Sequence, residues 1–413
     1  MIAKILVSRL RPLLANLVSP CQSAFIPNRW IAENQLIVQE LLHSFKRRKV
    51  KGGFVAVKFD LQKAYDRVNW MFLKEVLIKF GFHEIFINWI MQCVSTVSFS
   101  IILNGGISKH FLPTHGLRQE DPLFPYLFIL CQEVLSRLIE REYAIGALHG
   151  VKMNPSGPAF THVMYSDDLM LFAKASTREV KILDVCIEKY YLWSSQLINR
   201  DKSGLIFSKL VPRDKSRAIK WELNMKKITQ PTTYLGAPLF SSRNCTRDFK
   251  FLHERLESRL KEWQCKSLSW VGRSAFIKSV AQVLPIYTFS YFDIPTTVCD
   301  KLDATFRRFW WNPKKESSNF LAWKSWDKLC LPKNMGGLGF RKAKKFNEAW
   351  MHKDPLKNAL KTWKAIEGLK SLIMKMACFI VGDGAVIDIW KDSWVPWLPN
   401  VLPQPSMRPS MKG

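Results

Sequence analysis

The sequence predicts an α+β fold, and three observations carry that prediction. Phe54-Val55-Ala56-Val57-Lys58-Phe59-Asp60 is a β-branched and aromatic run opened by Gly52-Gly53, which is how a strand is composed and punctuated. Asn69 to Phe80 instead has helical spacing, with Phe72, Leu73, Val76, Leu77 and Phe80 on one stripe. His162-Val163-Met164 and Leu169-Met170-Leu171-Phe172 flank Tyr165-Ser166-Asp167-Asp168, which predicts a hairpin with two carboxylates at its tip. A strand, then helices, then a hairpin is an α+β order.

Along the chain, residues 1 to about 50 read as helical and basic, ending in Lys46-Arg47-Arg48-Lys49-Val50-Lys51. In the first strand, alternation places Val55, Val57 and Phe59 on one face and Ala56, Lys58 and Asp60 on the other. The strand should therefore pack by one face and offer an acid from its end. Gly81 follows the next helix where a C-cap glycine belongs, so Asp60 lies on a strand-to-helix connection. A polar loop from Gly116, with two prolines, opens an apolar helix from Tyr126 to Ile139. Its Arg118 and Gln119 offer donors suited to phosphate and base edges. Residues 211–300 look mostly helical and basic. Eleven of the 16 tryptophans fall after residue 260, and two uses compete for them: a structural core, or platforms that stack bases between basic residues. Residues 396–413 hold five prolines and few anchors, which predicts a disordered tail.

Two carboxylates about 4 Å apart repel by about 4 kcal/mol at an effective dielectric of 20. Asp167 and Asp168 therefore call for cations, and paired carboxylates holding divalent metal are what nucleotidyl transfer requires. An ordinary solvated turn has the same composition. The candidate partner, Asp60, is 107 residues from Asp167, so folding alone can assemble such a site.

Composition narrows the class. Hydrophobic residues make up 47% of 413, enough for two or three domains with ample core. With 62 Lys and Arg against 34 Asp and Glu, the net charge of +28 implies a polyanionic partner. A membrane surface is the competing reading of that charge, and since no apolar run approaches 20 residues a membrane span is not expected. The amphipathic basic start, Met1 to Arg11, has the look of a mitochondrial presequence, and a helix of the folded domain is the preferred reading. The nine cysteines form no Cys-x-x-Cys pair and have no histidine at zinc spacing. Buried thiols in a reducing compartment are expected, and a structural zinc site is not.

Eight ordered segments together resemble the reverse transcriptases of non-LTR (LINE-type) retrotransposons, plant-type in detail. They are Ser23-Ala24-Phe25-Ile26-Pro27-Asn28-Arg29, Phe59 to Val68, Arg118-Gln119-Glu120-Asp121-Pro122-Leu123, Tyr165-Ser166-Asp167-Asp168, Gln196 to Ser203, Tyr234 to Leu239, Leu268 to Arg273, and Gly382-Asp383-Gly384 with Ile389 to Trp394. The resemblance implies a right-hand polymerase architecture of fingers, palm and thumb with a helical, Trp-rich C-terminal extension. It divides the chain into partial fingers (1–51), palm with remaining fingers (52–210), thumb-like region (211–300), Trp-rich region (301–395) and tail (396–413).

It also implies roles. Asp60, Asp167 and Asp168 would be catalytic metal ligands, with Mg²⁺ or Mn²⁺ as cofactor and the Leu61 carbonyl as a further ligand. Tyr65 would be the steric gate beneath the incoming sugar, against the alternative of core packing. Arg29 would hold the triphosphate, Gln119 would lie beside nucleotide and template base, and Lys202 would protonate the leaving pyrophosphate. The implied partners are an RNA template, a DNA primer and dNTPs, and the implied location is nucleus and cytoplasm.

The match departs from the family at four places. Glu120 stands where the family has glycine, and Phe124 where it has serine. Asn28 and Ser195 replace further common glycines. A glycine at such turns supplies permissive backbone, so Glu120 brings strain and a negative charge near a triphosphate. Met1 falls within the fingers and no endonuclease is present, so a fragment of a retrotransposon reading frame is expected. An active polymerase and a catalytically impaired nucleic-acid-binding remnant both fit. A group II intron maturase fits the C-terminal signatures less well.

Overall fold

The computed structural model describes residues 1–47, 52–153, 157–228, 232–239, 245–264, 268–312 and 320–350. Most of the basic run 46–51, the signatures at 382–394 and the tail 396–413 lie outside the described residues. The chain divides into two compact units, Met1–Phe240 and Ser241–Gly413.

In the first unit, α1 (Ile2–Leu10), α2 (Leu14–Leu17) and α3 (Ile31–Arg47) precede β1 (Phe54–Phe59). Then come α4 (Trp70–Lys79), α5 (Glu84–Ser95), the ribbon β2 (Ile102–Leu103) with β3 (Gly106–Ile107), and the long α6 (Phe124–Ala144). A second ribbon, β4 (Val151–Lys152) with β5 (Ala159–Phe160), leads into the hairpin β6 (His162–Tyr165) and β7 (Asp168–Lys174). α7 (Thr177–Ser194), β8 (Gly204–Phe207), α8 (Arg213–Leu223) and the ribbon β9 (Thr233–Tyr234) with β10 (Ala237–Pro238) complete it.

Four strands form one antiparallel sheet in the order β6-β7-β1-β8. β1 is thus an inner strand, and its expected one-faced packing is corrected: helices cover both faces. Val55, Val57 and Phe59 pack with Leu135 and Ile139 of α6 and Val180, Leu183 and Tyr190 of α7. Phe54 and Ala56 pack with Val38, Leu41, Leu42 and Phe45 of α3. On that second face, Lys58 and Asp60 stay partly exposed.

Local chemistry explains the helices. Asn69 caps α4, its Oδ1 accepting from Met71 N at 2.8 Å and Phe72 N at 3.1 Å. Leu73, Val76 and Leu77 are buried on its inner face, each worth roughly 1.5–3 kcal/mol before chain entropy is set against it. Gly81 ends the helix with φ +79°. α6 begins at Phe124 rather than Tyr126, because Pro125 is tolerated in a first turn whose N–H groups lack helical partners.

The second unit is helical where described: α9 (Cys245–Asp248), α10 (Lys250–Gln264), α11 (Trp270–Phe276) with a π turn at Ile277–Ala281, α12 (Ile286–Phe289), α13 (Thr296–Trp311), α14 (Trp326–Cys330) and α15 (Ala343–Trp350). Ser269 Oγ caps α11 by accepting from Gly272 N at 3.2 Å. Trp310 and Trp326 are buried and pack on Phe340 with centroids 5.4 and 5.3 Å away. Trp270 lies 5.0 Å from Trp310 and carries the Arg273 guanidinium 4.5 Å above its ring. These tryptophans are packing elements. Trp323 is exposed.

Candidate active site

The site is built on the hairpin tip. Tyr165 pairs with Asp168, leaving Ser166-Asp167 as a two-residue turn, and Ser166 takes φ +53°. Positive φ at the first central residue is what tight hairpins ask for. Buried Gln22 holds this conformation: its Oε1 accepts from Ser166 N and from Ala24 N, both at 3.0 Å, and its Nε2 donates to Ser166 O at 3.5 Å. The Gln22 segment itself runs along the β6 edge, with Met164 N donating to Cys21 O at 2.8 Å and Ser23 N to Met164 O at 3.1 Å. From below, the Tyr65 hydroxyl lies 3.3 Å from Ser166 Oγ while its ring stacks on Phe128, centroids 4.6 Å apart. Burial pushes the Tyr65 phenol up, so it stays neutral.

The β1–β7 register ends at Phe59 opposite Leu169. One step further along the same ladder, Asp60 comes beside Asp168. Burial pushes the Asp168 carboxyl up to about 6, and the Asp167 and Asp60 charges add to this while Lys58 opposes it. Lys58 Nζ donates to Thr233 O at 2.9 Å. Asp167 is exposed. The three aspartates, the first of them over a hundred residues from the others, thus share one electrostatic field. Among the described residues, the trio of metal-ligand atoms lying within 4.8 Å of one another is a different one, Cys21, Glu140 and His162. The aspartates stand further apart than that.

A loop fastens Asp60 from the other side. Asn199 N donates to Asp60 O at 2.8 Å, Gln62 N to Leu197 O at 2.8 Å, and Asp60 N to Ser203 Oγ at 3.0 Å. Leu61 bridges Ile198 in this antiparallel contact. Backbone groups alternate in direction along such a ladder, so the Leu61 carbonyl points away from the loop, toward the hairpin side. Lys202 rides on the loop, exposed, with its N–H donating to Asn199 Oδ1 at 3.4 Å.

Residues 1–239 match the family described as reverse transcriptase (RNA-dependent DNA polymerase). The chain belongs to that family. Its relatives place it among the non-LTR retrotransposon enzymes. It is 27% identical to the transposon TX1 uncharacterized 149 kDa protein of Xenopus laevis, over 68% of this chain and 21% of that protein. It is 26% identical to the Pol polyprotein of the type-2 retrotransposable element R2DM of Drosophila melanogaster, over 61% of this chain and 22% of that protein. A putative ribonuclease H protein of Arabidopsis thaliana is 30% identical over 38% of this chain and 31% of its own length. The chain therefore spans less than a third of the length of each of these three relatives. Telomerase from Candida tropicalis, solved with a fragment of telomeric RNA, aligns at 14% identity and TM-score 0.40 over 76% of this chain and 51% of its own, and nothing in the assignment depends on it.

In this reverse transcriptase the remaining family positions fall differently from one another. Glu120 is exposed and adopts φ +66°, the left-handed backbone for which the missing glycine is suited. Asn28 and Ser195 also sit at φ +63° and +61°. Phe124 is buried at the α6 start. Gln119 is exposed, its Nε2 3.4 Å from Asp66 Oδ1, on a cavity of about 490 Å³ that Asp66, Arg118 and Glu120 also line. Arg29, expected on the triphosphate, has its guanidinium hydrogen-bonded within the fold. Its Nη1 donates to Ser19 O and Gln22 O at 2.6 Å each, and its Nη2 to Val18 O at 3.0 Å and Ala15 O at 3.4 Å. The guanidinium ties the end of α2 to the Gln22 segment, and a phosphate would have to displace those bonds.

Sequence reasoning missed Gln22, one position before the recognised fingers segment, and the Ser203 and Asn199 contacts to Asp60. Lys58 carried a usable signal: it shares a face with Asp60 by alternation. Among the described residues no helix is long and apolar enough to cross a membrane.

Proposed function

We propose that this chain is the RNA-directed DNA polymerase domain of a non-LTR retrotransposon, adding deoxynucleotides to a DNA primer 3′-hydroxyl on an RNA template. The observation that carries this reading is Asp60 brought beside Asp168 by the β1–β7 register, next to an exposed Asp167 on a clamped turn. The reverse transcriptase family works with divalent metal ions, and the donor set suits them. Three carboxylates and a carbonyl are hard oxygen ligands of the kind Mg²⁺ and Mn²⁺ prefer. Bound there, such ions supply a deprotonated nucleophile and neutralise the leaving pyrophosphate.

The chain's own residues do the rest. Asp60 and Asp167 are the direct ligands, with Asp168 a weaker one and the Leu61 carbonyl alongside. Tyr65, neutral and wedged between Phe128 and the turn, stands where a ring would exclude a 2′-hydroxyl. Gln119, exposed at the cavity wall with its Nε2 on Asp66 Oδ1, would contact a nucleotide or template base. Lys202, on the loop anchored to Asp60, would give its proton to departing pyrophosphate. The fingers, palm and thumb divisions and a nuclear or cytoplasmic site of action follow from the same reading. The net charge of +28 suits a nucleic-acid partner.

Glu120 favours a second reading, an impaired remnant that binds nucleic acid without copying it. It puts backbone strain and a carboxylate on the wall of the cavity beside Gln119. Primer extension on poly(rA)/oligo(dT) with Mg²⁺ or Mn²⁺ separates the two. Incorporation by the natural chain, lost in Asp167→Asn, supports the polymerase. Incorporation only by Glu120→Gly identifies a sound palm disabled at that loop. Template binding by a folded chain that incorporates nothing in either form supports the remnant.

A further inference from the structure

We propose that Cys21, Glu140 and His162 form a binding site for a transition-metal dication of the zinc class, chemically distinct from the aspartate site. The three come from separate places: the segment along the β6 edge, the last turns of α6, and the first residue of β6. Their ligand atoms all lie within 4.8 Å of one another. No spacing rule finds such a group, because no two of the residues are neighbours in sequence; the expectation of no zinc site rested on spacing alone.

The donor chemistry differs from that of the aspartates. A thiolate, an imidazole and a carboxylate form a borderline-soft set, which zinc accepts and magnesium does not favour. The imidazole is in its ligand form, since burial pushes His162 down to about 4 and keeps it neutral. The thiol is not yet in its own, since burial pushes Cys21 up to about 11. Binding therefore exchanges the thiol proton, released to solvent, for the metal–sulfur bond. Thiolate and carboxylate together then balance the two positive charges.

Surrounding hydroxyls orient the ligands. Ser136 Oγ lies 2.7 Å from one ring nitrogen of His162 and Thr161 Oγ1 2.9 Å from the other. Ser19 Oγ donates to Glu140 Oε1 at 2.6 Å, and Ser136 Oγ lies 3.4 Å from the same oxygen. One hydroxyl contact to the ring yields to the ion and the other remains, the supporting arrangement usual for a metal-bound histidine. Cys21 is partly exposed, which gives an ion access and leaves a fourth position for water. An ion here would pin the Gln22 segment to the base of the catalytic hairpin.

The test uses the full chain in excess Mg²⁺, which occupies oxygen sites, with Co²⁺ as an optical probe and Zn²⁺ as competitor. The expected result is one Co²⁺ per folded chain with a thiolate-to-cobalt charge-transfer band that Zn²⁺ abolishes. The band disappears in Cys21→Ser, and Ser136→Ala weakens binding by roughly 10–100-fold. Absence of the band from the folded chain, or its persistence in Cys21→Ser, overturns the proposal. Should Cys21→Ser fail to fold, Glu140→Gln decides: its affinity falls at least about tenfold if the carboxylate is a ligand, and an unchanged affinity overturns the proposal equally.

Discussion

Ser166 and Glu120 occupy the same left-handed backbone region, at φ +53° and +66°, in two loops that flank the candidate site. A non-glycine residue there costs about 1–2 kcal/mol. At Ser166 the cost is offset locally. Gln22 hydrogen-bonds its N–H and its carbonyl, and Tyr65 reaches its hydroxyl. Glu120 is exposed, and among the described residues the side-chain bonds of this loop fall on its neighbours, Arg118 and Asp121, not on Glu120 itself. The chain clamps the residue that aims Asp167 directly, whereas the loop around Glu120 is held through its neighbours, Arg118 pairing with Asp121 at 2.9 Å and Leu117 N donating to Tyr65 O at 2.8 Å. Strain at a turn is thus informative only together with what restrains it.

The largest test of this contrast removes the group the clamp serves. Asp167→Asn or Asp60→Asn should abolish incorporation by roughly a thousandfold or more, since a metal ligand is worth several kcal/mol in the transition state. The circular dichroism melt should stay near that of the natural chain. A folded Asp167→Asn that polymerises normally would break the comparison at its root.

Next in size is the clamp. Gln22→Ala leaves Ser166 N and Ala24 N without their acceptor in a buried site, costing about 2–3 kcal/mol in denaturant melts. Incorporation should fall by about a hundredfold as the tip shifts. A stable variant with normal turnover would show that the turn holds itself.

Asp168 gives a pH-dependent test. Its carboxyl is pushed up to about 6 from an ordinary 3.8, so the folded state holds its proton more tightly than the unfolded chain. Stability from this group is fully present below about 4 and is lost as pH rises through 6. Asp168→Asn should therefore stabilise the fold by about 1–2 kcal/mol at pH 7, allowing for partial exposure, and by almost nothing near pH 4. Urea melts of both proteins across that range check the sign. A gain independent of pH would mean that neither burial nor the neighbouring aspartates raise its carboxyl.

The smallest effect sits at Glu120. Glu120→Gly should stabilise by about 1 kcal/mol, the relieved strain less the added entropy of glycine. It should also lower the KM for dNTP, since a carboxylate leaves the cavity wall. Ser166→Gly should gain nothing comparable, because it gives up the Tyr65 contact. Equal gains at both positions would erase the distinction.

Much of the site was legible because it depends on local pattern. The run 54–60 alternates as a strand, Asn69 and Gly81 bracket α4 as caps do, and the Ser-Asp-Asp tip lies between two apolar runs. The Glu120 strain was legible too, since a charged residue stood where a turn calls for glycine. The carbonyl partners of Arg29 were not: a guanidinium fits phosphate oxygens and backbone carbonyls alike, and only packing showed the Ala15, Val18, Ser19 and Gln22 carbonyls converging on it. The one-faced character of β1 also failed, because alternation says which residues share a face but not how many helices arrive to cover it. The aspartate tip and the strand that carries Asp60 were determined by sequence alone, through short-range periodicity and turn chemistry, and the family through the resemblance of eight ordered segments. Tertiary structure alone decided that Gln22 holds the tip, that the 197–203 loop fastens Asp60, and that Cys21 meets Glu140 and His162. Those contacts join residues far apart in the chain, and no local pattern encodes a distance across a fold.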